Sequence, residues 1–303
     1  MVQGVQKPNH RHSRSFSTLF RSPVIHLGVF AILIAATVLM LSFAATPRAS
    51  ADDSVPSQTL RNVAGIVAHR DGHSVPIGTA FFVSVPSRVF EGRSFVYVVT
   101  AHHNLLDSAG QPAAGLFITL EDSRTGVMRE EALPPESRWV LDPVTQNSDV
   151  AATPLNPAGA RIAPISLDSI MVSTAEMNEL ADTGAQAYYL TAASVGTAHP
   201  RFEALARFGR VSVSRPAEAD VPGAGTQQLC FMDAGVTPGF SSGAPVFVQA
   251  GLRFVLWGIL ESSNSASDSP IFEGLSGVLP ASYLAETVMA MAEAQEKNAQ
   301  KKK

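Results

Sequence analysis

The stretch "TPGFSSGAPVF" (237–247) sets two serines side by side among Gly, Ala and Pro, and the choice between them decides between two folds. Read as "GFSSG" (239–243), it fits G-x-S-x-G, a sharp elbow between a strand and a helix with Ser241 as the reactive hydroxyl. Read as "SGAPVF" (242–247), it is a tight S-G-small-P turn running into an apolar strand, with Ser242 reactive. A serine hydroxyl is a poor nucleophile near neutral pH, so either reading needs a base and a third group to orient that base. The elbow takes its histidine from downstream of the serine. Here the eight histidines stand at 10, 12, 26, 69, 73, 102, 103 and 199, all upstream, so the elbow lacks its base.

The surrounding pattern also speaks against alternating strands and helices. "VAGIVAH" (63–69), "IGTAFFVSV" (77–85), "SFVYVVTA" (94–101), "GLFITLE" (115–121), "ARFGRVSVS" (206–214), "QQLCFM" (227–232), "APVFVQ" (244–249) and "RFVLWGIL" (253–260) are short runs rich in Val, Ile, Phe and Thr, punctuated by Gly, Pro, Asn and Asp. Such runs predict strands and an all-β fold. The mixed stretch 156–200 contains the expected join between two halves, placed near 156–175. Only the carboxy-terminal "PASYLAETVMAMAEAQEKNAQ" has the composition and Leu/Val/Met stripe of a helix, entered at Pro280. Met289 and Met291 are expected to face the core.

The first 51 residues read as a targeting segment. A basic lead-in (Lys7, Arg11, Arg14, Arg21) precedes 19 uncharged residues, Leu27–Ala45, and then the small-x-small site Ala49-Ser50-Ala51. A signal peptide is the favoured reading and an uncleaved membrane anchor the alternative. Either predicts an extracytoplasmic location, periplasmic or secreted, with membrane contact only through an uncleaved segment. Five of the 22 Lys and Arg and none of the 26 Asp and Glu lie in this segment, so the remainder carries 17 against 26, a net −9. That charge argues against a nucleic-acid partner. The single cysteine, Cys230, rules out an internal disulfide and is expected to pack inside a strand.

A base upstream of the serine is available. "VYVVTAHHNL" (96–105) ends an apolar strand in Thr-Ala followed by His102 and His103. Adjacent strand residues face opposite sides, so at most one of them aims into a given cleft. The same geometry disfavours a metal site there, and no clustered Cys, Asp or Glu ligands complete one. No cofactor is expected. The carboxylate candidate is Asp149 in "NSDVAATPL", where a polar turn enters an apolar stretch.

Together these residues resemble the trypsin-like (chymotrypsin-fold) serine peptidases of the bacterial, disulfide-free type, over about residues 60–280. "GTAFFV" (78–83) is similar to the strand before the catalytic histidine, "VVTAHH" to the T-A-x-H signature, "DVA" (149–151) to the aspartate signature and "SGAPVF" to the S-G-G-P block. The order is the family's, with 46 residues from His103 to Asp149 and 93 from Asp149 to Ser242. The resemblance implies two packed antiparallel β-barrels, at 60–165 and 170–280, followed by the helix and basic tail of 281–303. It implies a polypeptide substrate and a triad of His103, Asp149 and Ser242.

Ser242 is favoured because the glycine after it belongs to the same tight turn; Ser241 stays the alternative through the variant "PGFS". The resemblance places an oxyanion hole on the backbone N–H groups of Ser242 and Phe240, although Phe240 stands where the family has glycine. It places Val236, six residues before the nucleophile, at the base of the primary pocket, and Trp257 and Gly258 of "LWGILESS" along its wall. The expected activity is that of an exported serine endopeptidase. The alternatives are a peptidase-fold binding protein that has lost turnover and, on G-x-S-x-G alone, an esterase.

Overall fold

The computed structural model describes residues 59–301 apart from 71, 142–147, 157, 171, 196–200, 222–223, 237–239, 252 and 264–273. Residues 1–51, where a targeting segment is expected, lie outside the described residues, and among those described no helix is long and apolar enough to cross a membrane.

The described chain is mostly antiparallel β-structure in two sheets. The first contains β1 (Val63–Arg70), β2 (His73–Pro86), β3 (Ser94–Thr100), β4 (Leu116–Glu121), β5 (Met128–Ala132), β6 (Val140–Leu141), β7 (Ala151–Pro154) and β8 (Ile165–Ser166). Its order is β5-β4-β1-β2-β3-β7-β6, with β8 added parallel to β2. The second contains β9 (Gln186–Val195), β10 (Arg201–Val221), β11 (Gly225–Asp233), β12 (Pro245–Ala250), β13 (Arg253–Ser263) and β14 (Ser276–Pro280). This sheet closes in the order β10-β11-β14-β13-β12-β9, because β9 pairs with both β12 and β10. Two short helices, α1 (Leu167–Ile170) and α2 (Thr174–Leu180), carry the chain from one sheet to the other. The long helix α3 (Ala281–Gln300) follows β14 directly.

The eight apolar runs correspond to β1–β4 and β10–β13. The unforeseen strands have physical reasons to be inconspicuous. β5 is the largely polar "MREEA", while β6 and β8 are two residues each. β9, "QAYYLTAASV", lies in the mixed stretch and lacks alternation because both of its faces are buried. Tyr188 and Leu190 enter one core cluster while Ala187 and Tyr189 enter another.

The same division runs through the first sheet. In β2, Phe81, Val83 and Val85 point into the large shared core, and Ala80 and Phe82 point into the first sheet's own cluster. Full burial of side chains of this size contributes about 1.5–3 kcal/mol each, so the facing of β2 and β3 is strongly specified. Helix α3 covers the shared core with Ala281, Leu284, Val288, Met291 and Ala292, and Met289 packs half-buried beside them. It is also pinned by polar contacts. The Tyr97 hydroxyl donates to Gln295 (2.6 Å), and Ser87 Oγ and the Arg88 N–H donate to Glu296 (2.8 and 2.6 Å).

Candidate active site

Pairing of β3 with β7, with Thr100 opposite Ala151, brings the segments just beyond both strands to one edge of the first sheet. After Thr100 the chain tightens into a 3-10 turn, His102–Leu105, which separates the two histidines. His102 turns to Glu136, with Nε2 3.2 Å from Oε1. His103 turns to Asp149, which immediately precedes β7 and is 2 % exposed. The His103 backbone N–H donates to Oδ1 of Asp149 (2.8 Å), and ring Nδ1 is hydrogen-bonded to Oδ2. On the other side of the ring, Nε2 is 2.7 Å from Ser242 Oγ. Three side chains from distant segments thus form one hydrogen-bonded line.

Ser241 faces the other way. It is 2 % exposed and its Oγ stands 3.4 Å from the Tyr189 hydroxyl, inside the second sheet. The turn that separates the two serines depends on Gly243, whose φ is +83°. A Cβ there would lie 2.3 Å from the Thr79 carbonyl oxygen and 2.5 Å from Thr100 Oγ1, so both the conformation and the space exclude a side chain.

Polar side chains that the sequence reading passed over join the histidine and serine segments. The Thr79 N–H and Asn104 Nδ2 both donate to the Ser242 carbonyl (2.8 and 3.1 Å). Asn104 Nδ2 also donates to Thr100 Oγ1 (3.0 Å), which donates to the Thr79 carbonyl (2.8 Å). The hydroxyls of Thr79 and Thr191 converge on the Phe240 carbonyl (2.5 and 2.7 Å). Thr79 lies in "GTAFFV" and Asn104 directly follows the histidine pair, yet composition does not distinguish them from ordinary strand and turn residues.

Phe240 is half-buried, and Gly239 before it lies outside the described residues. Val236 packs half-buried against the second sheet's core. Trp257 and Gly258, expected along the pocket wall, both pack tightly within the second sheet. Trp257 is 2 % exposed in the second core and lines a cavity of about 480 Å³ with Met177, Cys230 and Tyr283, which includes no triad residue. Gly258 is packed so closely on β14 that a Cβ would lie 2.1 Å from the Leu279 carbonyl oxygen. The physical reason is a bulge. Between Val246 and Phe247 the β12–β13 register slips, so Gly258 opposes Val246 and Leu256 opposes Phe247, with Trp257 unpaired. Beyond it, Leu260 joins Trp257 in the second core, and Glu261 turns to the opposite side.

Glu261 is the residue of this strand that reaches the triad. It is fully buried, and its Oε2 lies 3.6 Å from His103 Nδ1. One ligand atom each from His103, Asp149 and Glu261 lies within 4.8 Å of the others. The His103 Nδ1 and Asp149 Oδ2 atoms are in direct hydrogen-bond contact, an arrangement built around a proton. Burial works to raise the Asp149 carboxyl, but the hydrogen bonds and charge of His103, with a further contribution from Glu261, outweigh it and hold it down at about 2. Burial first, and then the charge and contact of Asp149, push Glu261 well above the carboxylate range. The two carboxyls are thus shifted in opposite directions, Asp149 down and Glu261 up. The only sequence signal for Glu261 was a charged residue ending the apolar run "FVLWGIL".

Cys230 packs inside β11, with Sγ 3.2 Å from the Ser214 carbonyl, and burial pushes its thiol up to about 12. Chemically, the line of Ser242, His103 and Asp149 lets the imidazole accept the serine proton while the carboxylate fixes the ring's tautomer and balances the charge it gains. No protein-family model matches the chain, and no curated protein matches it.

Proposed function

We propose that the protein is an exported serine endopeptidase with the two-barrel architecture of the trypsin-like enzymes. The observation that carries this reading is the 2.7 Å approach of Ser242 Oγ to His103 Nε2, with the other ring nitrogen held by buried Asp149. The closed second sheet and the antiparallel first sheet support the same reading.

On this reading Ser242 attacks the peptide carbonyl as its proton passes to His103 Nε2. The C–N bond then breaks as His103 returns that proton to the leaving amine, and an acyl-enzyme remains on Ser242. Water, deprotonated by the same imidazole, hydrolyses the ester. The backbone N–H groups of Ser242 and Phe240 stabilise the oxyanion, and each donor in such a hole contributes about 2.7–4 kcal/mol to the transition state. Val236 offers no acidic partner for Lys or Arg, so the reading favours a small or apolar side chain before the scissile bond.

The test combines casein turnover by the purified protein with labelling by a fluorophosphonate and peptide mapping of the adduct. The proposal expects turnover, and label on Ser242 that is lost in His103→Ala. Absence of both turnover and label would favour a binding protein that keeps only the fold; turnover of esters alone would favour the esterase.

A further inference from the structure

Glu261 sits where an ionisable group is costly. Its side chain has no exposure, and among the described residues no N–H or O–H donor reaches either oxygen. An ionised carboxylate in such a place costs several kcal/mol unless paired. Among the described residues the one cationic group that could pair with it, an imidazolium at His103, already has Asp149 on its Nδ1. Among the described residues no other charged group is recorded against Glu261. Gly277 of β14 packs on its Cβ side, Leu260 beside it in β13 faces the opposite core, and the ionisable groups facing it are His103 and Asp149.

An uncharged carboxylic acid resolves this conflict, because it has one O–H to donate and Asp149 is the ionised acceptor within reach. We propose that Glu261 is a positioning residue for the triad, kept as a neutral acid in a buried site, whose proton is donated to Asp149 and so fixes the carboxylate that orients His103. It touches neither the serine nor the substrate, and it acts through Asp149. Asp149 is held by the His103 backbone N–H and ring, and the Glu261 proton adds a third contact. The inference rests on the peptidase reading only for its effect on rate; the protonation of Glu261 stands apart from it.

The experiment uses the full-length protein, Glu261→Gln and Glu261→Leu. Gln keeps a donor for Asp149 without a charge, and Leu removes the donor at similar volume. The infrared spectrum at neutral pH is expected to show a protonated carboxylic acid band that Glu261→Gln lacks. In proton NMR the downfield His103 Nδ1–H resonance is expected to persist in Glu261→Gln and to shift or broaden in Glu261→Leu. On a peptide substrate, Glu261→Leu should lose about tenfold in kcat with KM little changed, the size of one hydrogen bond to a charged group. Glu261→Gln should stay within about threefold of the parent, a difference below the net value of one hydrogen bond.

Absence of the acid band in the parent protein would overturn the proposal, as would an unshifted His103 resonance and unchanged kcat in Glu261→Leu. Should Glu261→Leu fail to fold, the band and the retained rate of Glu261→Gln still decide. A protein with the acid band and the His103 resonance but no peptide turnover would refute the peptidase reading and leave the assignment of Glu261 standing.

Discussion

His103 is bound twice by one carboxylate: its backbone N–H reaches Oδ1 of Asp149 at 2.8 Å and its ring Nδ1 reaches Oδ2. The double contact fixes both the position of the turn and the tilt of the imidazole. It leaves Nε2 as the ring nitrogen directed at Ser242.

Replacing Asp149 by Asn keeps the volume but removes the charge and allows the amide to donate toward the ring, favouring the wrong tautomer. A loss of about 10⁴ in kcat is expected, with a small change in KM. Steady-state kinetics on a chromogenic peptide checks it, and a loss of less than about tenfold would mean that the ring is oriented by other groups.

The two serines should separate cleanly. Ser242→Ala is expected to abolish fluorophosphonate labelling. Ser241→Ala should keep most of it and lose about 1 kcal/mol of stability, since Ser241 is a buried hydroxyl facing Tyr189. Labelling together with a urea denaturation midpoint for each variant tests both halves.

Gly243→Ala places a Cβ into the Thr79 carbonyl at a backbone angle that L-residues rarely adopt. A cost of about 1–3 kcal/mol from the backbone alone is expected, and more from the contact. Labelling of Ser242 should fall together with the unfolding midpoint. A variant with parental stability would show that this turn has another conformation open to it.

Stability should respond to pH with opposite signs from the two buried carboxyls. Asp149 is lowered from an ordinary 3.8 to about 2, so its contribution is present above 3.8 and is lost as pH falls toward 2. Glu261 is raised above its ordinary 4.5, so its contribution is complete below 4.5 and is lost as pH rises from there toward its folded-state value. Glu261→Gln should therefore match the parent in melting temperature near pH 4 and gain on it progressively as pH rises above 4.5. A gap that narrows with rising pH would reverse the assignment.

Cys230 should be inert to iodoacetamide in the native protein at neutral pH, because its thiol is buried and pushed up to about 12. Mass spectrometry should find modification only after denaturant is added.

Residue types alone carried the all-β character and the carboxy-terminal helix, because hydrophobic periodicity and turn chemistry are local properties, while the order of the short motifs and their resemblance to a known family pointed to His103, Asp149 and the serine pair. They could not separate Ser241 from Ser242, since which hydroxyl faces outward depends on a positive φ at Gly243 and on Thr79 packed against it. Nor could they place Glu261. Its facing follows from a bulge near Trp257 that shifts the alternation of β13, and its neutrality follows from burial beside Asp149. Register, burial and the opposite shifts of two carboxyls arise only when distant strands meet, so tertiary structure alone decided them.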